Sequence, residues 1–259
     1  MNAASNVSAI VQKEWKHYFG SPIAWVVLFA WTFLFGVFFA SSVYWYVQQT
    51  ARMSEGMGKA SVNDHLIRGL LQQMSVVAMF ITPMITMRLF AEEKRQGSME
   101  LLATSPLTDL QIVLGKYLAA FGLYALTIAA SLVNFAALWM YSTPKPEWKP
   151  MAAGVLGLLL LGACYIAIGT VLSNLTRNQM VAGILTFCVV LALFVLGWWA
   201  DDPMGGPFFK VLAYLAVNNH LNDFMKGVVN LKDVVFYLSF AGFGVFLANQ
   251  SVASQRWRA

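Results

Sequence analysis

Charge is what this sequence has least of. Aspartate, glutamate, lysine and arginine make up 11% of its 259 residues, against roughly 25% in ordinary soluble domains. Twelve acids and seventeen bases cannot cover the surface of a 28.7 kDa globule. Folded in water, it would expose apolar patches larger than soluble monomers tolerate. Cysteine is nearly absent: Cys164 and Cys188 both lie inside apolar runs, which excludes a disulfide scaffold. The three histidines, His17, His65 and His220, are too far apart for metal-ligand spacing. No block of like charge occurs, so the net +5 is spread along the loops. It fits anionic lipid headgroups better than nucleic acid. What abounds is hydrophobic side chains, at 59%, with a mean hydropathy of +0.63. These numbers exclude a disordered or collagen-like chain and define an integral membrane protein.

A helix needs about 20 apolar residues to cross the hydrocarbon core. Uncharged stretches of that order occur six times: Ile23–Val47, Leu70–Met87, Tyr117–Tyr141, Met151–Thr176, Asn178–Ala200 and Val234–Gln255. With its helical start included, the third span covers 112–141. A mid-bilayer lysine or arginine costs about 2.5–3.5 kcal/mol, so charges mark span ends. Arg88 closes the second run, Lys116 opens the third, and Arg177 separates the fourth from the fifth. The runs are too long, and alternate too rarely, for barrel strands. The fold class is therefore all-α, with six transmembrane helices. The first run is too long for a signal peptide and follows Lys13-Glu14-Trp15-Lys16, so it is expected to remain as a true span. With termini inside, basic residues divide nine against eight, which leaves orientation undecided by charge alone.

Four segments do not span. Residues 1–22 are amphipathic: Val7, Ile10, Val11, Trp15 and Tyr18 share one face, with Lys13, Glu14 and Lys16 elsewhere. That pattern predicts an interfacial helix, turned into the membrane by Ser21-Pro22. Residues 48–69 are a polar loop. Residues 201–233 begin with the breaker Asp201-Asp202-Pro203-Met204-Gly205-Gly206-Pro207. The apolar Phe208–Val217 stretch that follows is too short to span, and fits short helices dipping into the outer interface.

The connector 88–111 is the most informative. The second span reads as running straight on, with Arg88–Glu92 at i,i+4 and Glu92–Arg95 at i,i+3 supporting exposed helix. Gly97 ends that helix, Ser98 caps a short one over Met99–Thr104, and Pro106 stops it. Thr108 and Gln111 have capping-box spacing for the third span. The short helix presents Met99, Leu101 and Leu102 beside Glu100. Two readings fit: a docking element on a charged stalk, or a solvated loop whose leucines lie on the headgroups.

Three stretches resemble the ABC-2 type permeases, membrane halves of many ABC exporters. One is Lys13-Glu14-Trp15 through Tyr18-Phe19-Gly20-Ser21-Pro22-Ile23-Ala24. The second is Glu92-Glu93-Lys94-Arg95-Gln96-Gly97-Ser98-Met99-Glu100-Leu101-Leu102 with Ser105-Pro106 and Gly115-Lys116. The third is His220, Asp223-Phe224, Gly227-Val228 and Leu231-Lys232-Asp233-Val234-Val235, with Arg256-Trp257-Arg258. The match is nearest the gliding-motility-associated branch, with copper-enzyme (nitrous oxide reductase) maturation permeases as relatives.

The resemblance implies an exporter-like (type V) permease of the bacterial inner membrane, with termini and connector cytoplasmic and 201–233 outside. Two permease copies, or two homologous permeases, would pair with two ATPase subunits, and an extracytoplasmic accessory protein is a further possible partner. No G-x-x-x-x-G-K-[ST] loop is present, so this chain binds no cofactor itself and is not an enzyme; ATP and Mg belong to the ATPase. In this reading Glu92, Glu93 and Arg95 orient the stalk. Met99, Leu101 and Leu102 fill a groove on the ATPase, and Glu14-Trp15 braces the flank.

Other features carry weaker readings. His220 with Asp223, at i,i+3, fits either a metal site or a structural cap. Asn134 and Asn178 fit a substrate path or helix–helix bonding. Met74, Met79, Met84 and Met87 fit packing better than copper ligation. Gly154, Gly157, Gly162 and Gly169 are spaced for close helix approach. An ATP-driven mechanical or assembly module, working through 201–233, is the alternative function. An intramembrane enzyme or secondary transporter would place ionisable residues at mid-membrane, and no uncharged run contains one.

Overall fold

The computed structural model describes residues 3–53, 66–98, 107–142, 145–197, 211 and 214–256. All regular elements among them are helical, as the composition predicts: α1 (Ala3–Gly20), α2 (Pro22–Met53), α3 (Arg68–Thr86), α4 (Ala91–Gln96), α5 (Asp109–Tyr141), α6 (Trp148–Leu175), α7 (Gln179–Leu196), α8 (Leu221–Met225) and α9 (Leu231–Arg256). Six helices are long and apolar enough to cross a membrane: α2, α3 continuing through α4, α5, α6, α7 and α9.

The chain folds around α6, which packs against α3, α5, α7, α8 and α9. Its glycines explain why. A Cβ on Gly154 would lie 2.2 Å from Leu71 Cδ1, on Gly162 2.0 Å from Tyr124 Cε1, and on Gly169 2.1 Å from Thr86 Oγ1. Without hydrophobic drive between helices in lipid, such close backbone approach supplies the dispersion contacts that hold a bundle. α3 is the most enclosed span, whereas α2 and α7 turn most of their apolar surface outward. Met74 and Met79 are buried in this packing. A polar ladder crosses the same core: Trp31 Nε1 donates to Ser131 Oγ at 2.6 Å, and Tyr124 Oη donates to the Leu158 carbonyl at 3.0 Å.

Three local expectations need correction. The second span does not run straight out: turn residues 87–90 separate α3 from α4, with Phe90 at φ −124° and ψ −34°. The break is satisfied from outside, because Ser173 Oγ of α6 accepts from the N–H groups of Phe90 (3.1 Å) and Ala91 (3.3 Å) and donates to the Met87 carbonyl (3.2 Å). One hydroxyl thus uses its donor and both acceptor positions. The third span also begins a little before the expected 112. The Thr108–Gln111 capping box is formed and starts α5 at Asp109, so Lys116 lies about two turns inside it.

Glu14 is the third. It shares the buried face of α1 with Ile10 and Tyr18, at i,i+4,i+8, instead of pointing away. α1 itself packs against α5: Ile10 fits against Gly115, the Trp15 ring against Gly122, and Trp15 Nε1 donates to the Ala119 carbonyl at 3.2 Å.

Candidate functional site

The charged residues singled out in the N-terminal helix and the connector meet at the end of the bundle that holds α1 and α4. Lys116 Nζ lies 2.8 Å from Glu14 Oε1 and 3.0 Å from Glu93 Oε1, and 5.3 Å from the centroid of the Phe90 ring. Its side chain is 2% exposed, Glu14's 9% and Glu93's 14%. An ammonium with three donors can serve both carboxylates at once. One lysine from α5 therefore joins α1 to α4. A buried cluster of this kind adds little net stability over an apolar core, but losing one member leaves an uncompensated charge and is costly.

Weaker pairs ring it. Lys13 reaches Glu93 at 3.5 Å, and His17 and Arg88 reach Glu92 at 3.6 and 3.8 Å. Being partly exposed, each is worth about 0–1 kcal/mol. Together these residues line a cavity of about 280 Å³ with Gln96 and Ser98. Glu93 Oε2 is buried there and makes no hydrogen bond among the described residues.

The remaining predicted residues divide. Lys94 Nζ donates to the Asn174 carbonyl, tying α4 to the end of α6. Gly97 takes the left-handed conformation, φ +73°, that ends α4 without a Cβ clash. Ser98 Oγ donates to the Glu93 carbonyl at 3.4 Å. Arg95 and Lys16 are exposed. The predicted Glu92–Arg95 pair is not made; Glu92 instead accepts from Gln96 Nε2 at 3.3 Å, the side chain one turn on. Met99, Glu100, Leu101, Leu102, Ser105 and Pro106 lie outside the described residues, as do Trp257 and Arg258 and most of 201–213.

At the other end, the predicted His220–Asp223 pair is replaced. His220 Nδ1 lies 2.6 Å from Asp233 Oδ1, Nε2 lies 3.0 Å from the Tyr214 carbonyl, and the ring stacks on Phe236 at 3.9 Å. A carbonyl can only accept, so Nε2 carries hydrogen. The histidine caps nothing with its side chain; it fastens the segment before α8 to the first turn of α9. Asp223 pairs instead with Lys226 (3.7 Å) and accepts from Asn230 Nδ2 (2.5 Å). No group of three or more metal-ligating side chains occurs among the described residues. Phe224 is fully buried, against Gly157 and Tyr237. Gly227, φ +82°, closes α8 in a Schellman motif, with Gly227 N–H bonded to the Phe224 carbonyl and Val228 N–H to the Asp223 carbonyl.

Sequence reasoning named Lys116 and Asp233 only within the family-like stretches, without their partners, and missed Ser173. For Lys116 the signal was present, because the capping box at Thr108 already placed it inside a helix. Asn178 caps α7, accepting from Met180 N–H at 2.9 Å, rather than lining a path.

This is a six-span helical bundle whose N-terminal helix and inter-span connector are locked together through one buried lysine. Residues 46–248 match the family described as ABC-2 family transporter protein, and the chain belongs to that family. Over 163 residues it is 27% identical to the probable multidrug ABC transporter permease YbhR of Escherichia coli, in two strains. The match takes in 61% of this chain and 43% of that relative, so the chain aligns with less than half of the relative's length.

Proposed function

We propose that this chain is the permease subunit of an ABC transporter, working as a pair of copies or with a homologous permease. ATP, with Mg, is hydrolysed on two separate ATPase subunits, and a substrate is moved out across a bacterial inner membrane. The termini and connector face the cytoplasm, and the branch is that of the gliding-motility-associated permeases. The observation carrying this reading is the bridge Glu14–Lys116–Glu93.

A force applied to the connector reaches three elements at once. It passes to α1 and α5 through Lys116 and to α6 through Ser173 and Lys94. Glu93 Oε2, buried in the adjoining cavity without a hydrogen bond among the described residues, offers an acceptor to a basic side chain of the ATPase. Met99, Leu101 and Leu102 supply the apolar part of that contact. The bundle then rocks as α3, α5 and α6 move with the connector.

The test is a photo-crosslinking residue at Ser98, with the tagged protein purified from its native membrane. A specific adduct with an ATP-hydrolysing subunit is the expected outcome. Labelling of lipid alone, while such a subunit is bound elsewhere, would move the docking surface away from the connector. Absence of any ATP-hydrolysing subunit under all conditions would end the reading.

A further inference from the structure

At the end of the bundle opposite the ionic cluster, an apolar groove of about 340 Å³ opens between α2, the start of α3 and the end of α5. Phe39, Val43, Tyr46, Leu66 and Leu138 line it, with the exposed Tyr141 at its edge. Its size and lining are those of a small-molecule site, apolar with a few polar groups. It opens sideways, because Tyr141 is 86% exposed and Val47, another lining residue, 57%. The surface beyond is the outward face of α2, where Phe29, Phe33 and Trp45 are exposed, an apolar surface suited to hydrocarbon.

A polar group lines the groove, and two basic residues follow its lining residues closely in the sequence. Ser142 Oγ, which lines the groove, is buried and makes no hydrogen bond among the described residues. Three residues further on, Lys145 Nζ is held 4.3 Å from the centroid of the Trp139 ring. Arg68 lies two residues beyond Leu66 and is exposed. Aromatic rings at span ends with flanking bases form the headgroup level of a membrane.

We propose that this groove binds one acyl chain of an anionic phospholipid, with Ser142 donating to its ester region and Lys145 and Arg68 facing its phosphate. The charge of these two bases selects an anionic lipid, and the sideways opening selects a molecule already in the bilayer. The site is independent of any ATPase.

The full chain, reconstituted in nanodiscs, is labelled with phosphatidylglycerol carrying a diazirine in the half of one acyl chain nearer the ester, and labelled peptides are mapped. Labelling concentrates on 39–47 and 137–142, several-fold above the open face at Phe29 and Phe33. Ala137→Trp, which fills the groove, removes that excess, whereas Val133→Trp on the open face keeps it. Labelling that merely follows exposure, or that survives Ala137→Trp, overturns the site. Arg68→Gln with Lys145→Gln reduces competition by phosphatidylglycerol relative to phosphatidylcholine; equal competition by the two lipids in the unaltered protein overturns the headgroup assignment. If Ala137→Trp does not fold, native mass spectrometry of the unaltered protein decides. A retained phosphatidylglycerol after detergent exchange supports the site, and none retained overturns it.

Discussion

Lys116 and Glu93 stand 3.0 Å apart, although one lies two turns inside α5 and the other on the connector that follows α3. With Glu14 on the far side of the same ammonium, the lysine separates two buried carboxylates. Lys116→Met leaves them facing each other without a cation. Removing one partner from a buried pair costs about 3–5 kcal/mol, so the variant should melt well below the parent in detergent. Adding Glu14→Gln should recover much of the loss. Simple addition of the two single-variant losses would show that no such coupling exists.

Ser173→Ala strips three hydrogen bonds from the break between α3 and α4. Each buried backbone group left unsatisfied costs about 1–3 kcal/mol before relaxation. Amide exchange should accelerate at Phe90 and Ala91 and remain unchanged at the centre of α6. Unaltered exchange at the break would mean that water or a neighbouring group replaces the hydroxyl.

The glycines sort by what surrounds them. Gly162→Ala drives a methyl into the Tyr124 ring, which its hydroxyl bond to the Leu158 carbonyl holds in place. Overpacking of this kind costs about 1–3 kcal/mol. Gly36 and Gly242, also helical, face open space: a methyl added at either would meet nothing within 4 Å. Alanine there should raise stability by up to about 1 kcal/mol through helix propensity. Parallel melting curves of the three variants check the contrast; equal shifts would remove the packing explanation.

His220→Ala leaves the buried Asp233 carboxylate without its ring partner. The loss should exceed about 1–3 kcal/mol, the cost of an unpaired neutral group. It should also be local, appearing as faster exchange across residues 216–225 while α3 and α5 keep their protection. Asp223→Ala, which removes a partly exposed pair with Lys226 and a part-buried bond from Asn230, should cost less, about 1–2 kcal/mol.

The spans were legible because hydrophobicity accumulates over many residues, and twenty apolar positions cannot be mistaken for anything short. The caps were legible for the opposite reason, as Thr108 with Gln111 and Gly97 are read within one turn of chain. Pairing across the sequence was not. Lys116 and Glu14 are 102 positions apart, and nothing local to either names the other. The histidine shows the same limit at shorter range: Asp223 at i,i+3 was the nearer carboxylate, but the ring turns to Asp233, thirteen residues away, because α9 packs where α8 does not reach. Ser173 was invisible because its three partners belong to a break that itself had no sequence mark.

Synthesis order gives the ionic cluster a second meaning. Glu14 leaves the ribosome 102 residues before Lys116, a wait of roughly 5–20 s at bacterial rates of about 5–20 residues per second. Through that interval α1 carries a carboxylate on the face it must later bury. A buried carboxylate without a cation is costly, so closing α1 onto the bundle is favoured only once α5 supplies Lys116. The order of synthesis thus puts the connector in the chain before the lysine that joins it to the N-terminal helix.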